Sequence, residues 1–150
     1  MLQNLILWWV KMYNIILHAT DLSSEHFHMC ERSVEFANYF KAKLYLLHVI
    51  EPPASLQLAQ GLGFAEFDRP VSVKLDAQVV MATIGDALNI PLEQQLVEIG
   101  SIKQHVLLQL QSLGAELLII GHHTASNIPA FFESTAHMLV KSSACNILLL

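Results

Sequence analysis

The 150 residues predict an α/β domain: a three-layer, open, parallel five-stranded sheet with helices on both faces. Three observations carry this. Short apolar runs at 15–17, 44–50, 117–120 and 147–150 are continuous rather than alternating, as in strands buried on both faces. Helix-period patterns separate them, so strands alternate with helices and right-handed crossovers connect the strands. Hydrophobic residues make up 53% and charged residues 14%, which excludes a disordered chain and supplies one core.

The elements follow in order. Ile15–Ile16–Leu17 opens the first strand. Phe27, Cys30, Val34, Ala37 and Phe40 (or the stem of Lys41) recur at helical spacing after the capping candidates Ser23 and Ser24. Leu44 to Ile50 is the second strand. Glu51 to Arg69, with Pro52, Pro53, Gly61 and Gly63, is expected to be an irregular connection. Its Leu56, Leu58, Leu62, Phe64 and Phe67 would cover a cleft or a partner. Val73, Ala77, Val80, Ile84 and Leu88 predict a helix beginning near Pro70. The polar mixture of Glu93 to Ile99 suits an edge strand. Ser101 and Gln104 form a capping box ahead of Ile102, Val106, Leu110 and Leu113, with Gly114 as the helix stop. After the strand at Leu117–Ile120, a short helix is expected from Glu133 or Ser134, carrying Ala136, Leu139 and Val140. The last strand closes the chain at Leu150.

The net charge is −5, and no basic cluster is present, which argues against a nucleic-acid partner. Cys30 and Cys145 form no C-x-x-C pair, as expected of free thiols in a cytoplasmic protein. Residues 1–11, MLQNLILWWVK, are apolar but shorter than the roughly 20 residues a membrane span needs, and they lack the features of a secretory signal. They read as an extension of uncertain origin before a domain at 12–150. A misplaced start, an extra packing segment and an interfacial anchor led by Trp8 and Trp9 all stay open.

In an open α/β sheet, ligands bind beyond the carboxyl ends of the strands, where the strand order reverses. The first strand ends in HATDLSS, the second in HVIEPP and the fourth in GHHT. YNIILHATDLSSEHFHMCERSVEFANYFKAKLYLLHVIEPP resembles the opening of the universal stress protein family. VEIGSIKQHVLLQLQSLGAELLIIGHH and STAHMLVKSSACNILLL resemble its closing half. The resemblance covers residues 13 to 150, with 51–90 weakly diagnostic. It implies the strand order 3-2-1-4-5 of adenine nucleotide alpha hydrolase-like domains. It further implies a stress-response role and a homodimer paired through Asn146–Leu150.

Nucleotide-binding members of that family carry G-x-x-G, nine residues, then G-[S/T] between the fourth strand and the last helix. Glycines let the backbone approach phosphates, and a helix N-terminus offers its N–H groups. Here Gly121 keeps the first position, Thr124 replaces the second, and Ser134 the third, followed by Thr135. The added side chains occupy phosphate space, Phe131 and Phe132 add bulk, Glu133 repels a polyphosphate, and no Lys or Arg offsets its charge. The loop resembles that of the UspA-like division, which lacks these glycines. No cofactor is therefore expected. The alternative is an ATP-binding or slowly hydrolysing member using Asp21, Val49, Gly121, Thr124, Ser134 and Thr135.

Bland readings stand beside the sharp ones. Asp21 is expected to cap the first helix, alone or with a share in binding. His18, His48 and His122 suggest an open zinc site, against which stand three satisfied rim histidines. His26 and His28, two residues apart on a helix, are expected to be a solvated surface pair. Cys30 is expected in the core, and Cys145 partly exposed and inert. The Ser134–Thr135 pair reads as a helix cap before it reads as a phosphorylation site. No nucleophile–base pair supports an enzyme, so a binding or regulatory role is expected, with unknown protein partners and no membrane.

Overall fold

The computed structural model describes residues 12–63, 69–121 and 145–150. Five strands form one sheet: β1 (Ile15–Ala19), β2 (Lys43–Ile50), β3 (Gln95–Ile99), β4 (Leu117–Ile120) and β5 (Asn146–Leu149). Their order is β3-β2-β1-β4-β5, with every pair parallel. The apolar strands β1, β2 and β4 take the centre, where both faces are covered. The polar β3 takes one edge, as its composition predicted, and β5 takes the other.

Among the described residues the helices are α1 (Ser24–Phe40), α2 (Ala54–Gly61), α3 (Arg69–Leu88) and α4 (Ile102–Leu113). Alternating strand residues split the core in two. Ile16, Leu44, Leu46, Leu117 and Ile119 meet Cys30 and Ala37 of α1 and Met81 and Ile84 of α3. Leu17, Leu47, Val49, Leu118 and Ile120 meet Val106 and Leu110 of α4. Burying each such aliphatic side chain contributes roughly 1.5–3 kcal/mol. The strand ends are therefore fixed by packing from both sides.

Three expectations change. The connection 51–69 is not irregular throughout: Ala54–Gly61 is a helix, because ASLQLAQG is mostly good helix formers after Pro53. None of its residues is buried. β3 begins at Gln95, since Leu92–Gln94 form a 3-10 turn behind Pro91. Ser101 is the N-cap of α4, yet its hydroxyl makes no capping bond, so the capping box is not formed. Gly114 does end α4 in the left-handed region, with φ 64. The helix expected after Glu133 lies outside the described residues.

Candidate functional site

The strand order reverses between β1 and β4, so the carboxyl ends of these strands mark the switch point, the place where open α/β sheets bind ligands. The turn leaving β1 is tightly specified. Leu22 N–H donates to Thr20 Oγ1 at 3.1 Å, and Ser23 N–H donates to Asp21 Oδ1 at 2.8 Å. These bonds hold Leu22 at φ 62, a left-handed conformation uncommon for a branched side chain. Ser23, not Asp21, caps α1: its hydroxyl accepts the His26 N–H at 3.3 Å. Asp21 stands two residues earlier as the acceptor of an Asx turn, which corrects its expected capping role.

His26 overturns a second expectation. Its residue is 1% exposed, while His28 is exposed and pairs with Glu31 at 3.0 Å. Asp21 N–H donates to His26 Nδ1 at 3.2 Å, and Asp21 Oδ1 lies 3.4 Å from the same nitrogen. The buried seam of α1 is His26, Cys30, Ser33 and Ala37. The apolar pattern Phe27, Cys30, Val34, Ala37 had placed it one residue further on. A polar residue three positions after a capping serine, at i and i+4 from a buried cysteine, was the signal available.

Behind His26 lies His18 on β1, fully buried, its ring centroid 6.3 Å from that of His26 with the planes 29° apart. Ser33 donates its hydroxyl proton to Met29 O at 2.9 Å. The His18 Nδ1–H therefore donates to Ser33 Oγ, also at 2.9 Å, which leaves Nε2 as the bare nitrogen. That Nε2 is buried and has no hydrogen-bond partner among the described residues. Burial, reinforced by neighbouring His26 and opposed by Asp21, pushes the His18 pKa down to about 3. His18 is neutral at physiological pH.

His48, half-buried on β2, donates from Nδ1 to Thr20 O at 2.9 Å. His18 and His48 are thus each engaged with the β1–α1 turn or with α1. Among the described residues, no group of three or more His, Cys, Asp or Glu is placed to hold a metal ion. His122 lies outside the described residues. Cys30 is buried, and burial pushes its thiol up to about 11 against a hydrogen bond with Thr20. Cys145, partly exposed, is also raised by burial.

Gly121 ends β4 against this cluster. A Cβ there would stand 2.3 Å from Met29 Sδ and 2.7 Å from Cε1 and Nε2 of His26. A side chain there would force Met29 and the buried His26 ring to shift. Val49 is buried, with its side chain in the core on the α4 side of the sheet. The structure therefore gathers Asp21 and Gly121 around His26 and leaves the Val49 side chain on the other face. Thr124, Ser134 and Thr135 lie outside the described residues.

The fold and sequence have known counterparts. Residues 12–150 match the model of the universal stress protein family. Universal stress protein A homolog 2 of Coxiella burnetii is 29% identical over 120 residues, covering 80% of this chain and 82% of that protein. Homolog 1 of the same organism is 27% identical over 142 residues, covering 91% and 94%. Among solved structures, UspA from Lactobacillus plantarum superposes with a TM-score of 0.58 at 22% identity, over 92% of this chain and 97% of that one. A universal stress protein in complex with cAMP superposes with a TM-score of 0.60 at 14% identity, over 92% and 96%.

Proposed function

This chain belongs to the universal stress protein family, and on that premise we propose that it is a UspA-like, non-nucleotide-binding member. It acts in the cytoplasm, in stress resistance, as a regulatory homodimer that works by binding rather than by turnover. One observation carries the reading. Gly121, the first glycine of the family's phosphate loop, is pressed by Met29 and His26 of α1. Its lack of a side chain is thus accounted for by packing, with no phosphate required. The substitutions at Thr124 and Ser134 act in the same direction.

The homodimer rests on β5. It is an edge strand of apolar composition, and its Leu149 is 58% exposed. An apolar edge with unpaired backbone groups favours pairing with its own copy about a two-fold axis. Among the described residues no helix is long and apolar enough to cross a membrane.

A second reading, adenine-nucleotide binding, is favoured by the meeting of Asp21 and Gly121 at the switch point. Calorimetric titration of the purified protein with ATP–Mg²⁺ and, separately, with cAMP decides between them. The first reading expects flat titrations through millimolar nucleotide. Saturable binding tighter than about 100 μM, or about −5.5 kcal/mol, would replace it with the second. Light scattering on the wild type and on Leu149→Lys tests the dimer, with a monomeric wild type as the adverse result.

A further inference from the structure

At the amino end of β2, on the side of the sheet opposite the switch point, α1 and α3 enclose a cavity of about 380 Å³. That volume is in the range of small-ligand sites. Val34, Leu44 and Leu88 give it aliphatic walls, and Asn38, Asn89 and Gln94 bring three carboxamides to it. None of these three side chains makes a hydrogen bond to another described residue, so their carbonyl oxygens are available as acceptors. Lys43 is the one charged residue of the lining. On β2, Leu44 and Leu46 face α1 and α3, whereas Tyr45 and Leu47 face α4. Alternation therefore sends the Lys43 side chain to the α4 face and leaves only its backbone to the cavity. Lys41, the cap of α1, is exposed and is not part of the lining.

Acceptors dominate what remains. α1 ends at Phe40 and α3 at Leu88, so both helices bring the negative ends of their dipoles to the same cavity. Neither helix has a basic residue in its last turn to offset that charge. Behind the wall, Gln95 donates from Nε2 to the carbonyl of Ile90, a lining residue, at 2.9 Å. That bond fixes the orientation of the amide. Gln95 Oε1 is left buried, with no hydrogen-bond partner among the described residues. A buried acceptor of this kind calls for a donor.

We infer that this cavity binds a small primary alkylammonium ion. Its N–H groups donate to the carbonyl oxygens of Asn38, Asn89 and Gln94 between the two helix ends, and its alkyl chain lies on Val34, Leu44 and Leu88. Asp21 and Gly121 stand at the opposite ends of the strands, so the inference is independent of whether the switch point takes a nucleotide.

The probe is n-pentylamine, which is protonated at neutral pH, with 1-pentanol and pentanoate as comparators of equal chain length. Each is titrated into the isotopically labelled full chain at about 0.15 M salt, which screens exposed charges, and followed by amide NMR. Pentylamine should give saturable shifts at the side-chain amides of Asn38, Asn89 and Gln94. It should bind at least about ten-fold more tightly than 1-pentanol, and pentanoate should not bind. Asn38→Lys should abolish the binding and Asn38→Asp should tighten it several-fold, with far-UV circular dichroism unchanged. Should either variant misfold, the three probes on the unaltered protein still decide. Equal affinity for 1-pentanol, tighter binding of pentanoate, or no saturation would overturn the inference. So would affinity indifferent to both Asn38 variants, or shifts that spread over the acidic surface or gather at the switch point.

Discussion

The buried His18 makes this protein acid-sensitive in a way that a single substitution can isolate. In the unfolded chain the imidazole titrates near 6.5, and in the fold near 3. The folded form therefore refuses a proton that the unfolded form accepts. The stability contributed by neutral His18 is fully present above pH 6.5 and is lost progressively as pH falls from 6.5 toward 3. Between pH 7.5 and 5 the loss is about 2 kcal/mol, at 1.36 kcal/mol per unit of differential protonation. That is a large share of the roughly 5–15 kcal/mol by which domains are stable. His18→Leu removes the titrating group and places an aliphatic side chain beside Ile16 and Leu46, while Ser33 keeps its bond to Met29 O. Urea unfolding of both proteins at pH 7.5 and 5 isolates the effect, because the carboxylates titrate alike in each. With a urea slope of about 2 kcal/mol/M, the wild-type midpoint should fall about 1 M further than that of the variant. Equal falls in the two proteins would mean that His18 is not held neutral by burial, and the tautomer deduced from Ser33 would go with it.

Gly121→Ala should destabilise by about 2 kcal/mol through overpacking and lower Tm by about 4–8 °C in calorimetry. Adding Met29→Ala should recover only part of this, because the His26 ring still stands 2.7 Å from the new Cβ. Ser23→Ala removes the acceptor of the His26 N–H and should cost about 1 kcal/mol in chemical denaturation, with far-UV circular dichroism preserved. The two thiols should react unequally with a disulfide reagent at pH 8, read by mass spectrometry. Cys30, buried and raised to about 11, should stay unmodified until unfolding, and Cys145, partly exposed, should be modified slowly in the native state.

The sheet was legible because its central strands carry the continuous apolar runs that burial on both faces demands. Even the edge position of β3 followed from Gln94, Gln95 and Glu98. The site was legible only in part. HATDLSS located the turn after β1, but Asp and Ser are both strong caps, and composition alone could not divide their labour. Three-dimensional bonding gave Ser23 the helix and Asp21 the preceding turn. His26 escapes helical periodicity because that pattern is carried by apolar residues alone. Its burial depends on a neighbouring backbone N–H from Asp21 and on space over Gly121, and neither is visible along the chain. The helix Ala54–Gly61 was hidden by its flanking prolines and glycines, which read as loop punctuation. With no buried face, it had no periodic signal to show.

Gly121 shows why a surviving motif residue is weak testimony for the motif. A glycine can be required by a ligand that approaches the backbone or by a neighbour that packs against it, and a sequence records both in the same letter. The two demands come apart experimentally. If Gly121 serves α1 alone, Gly121→Ala lowers Tm and leaves nucleotide titrations as flat as those of the wild type. If a phosphate also needs that backbone, the same substitution lowers Tm and weakens a measurable affinity. In that case Met29→Ala in the Gly121→Ala background would restore some stability without restoring binding. The contacts of Met29 and His26 demand the stability loss in either case, so the affinity measurement alone tells the two demands apart.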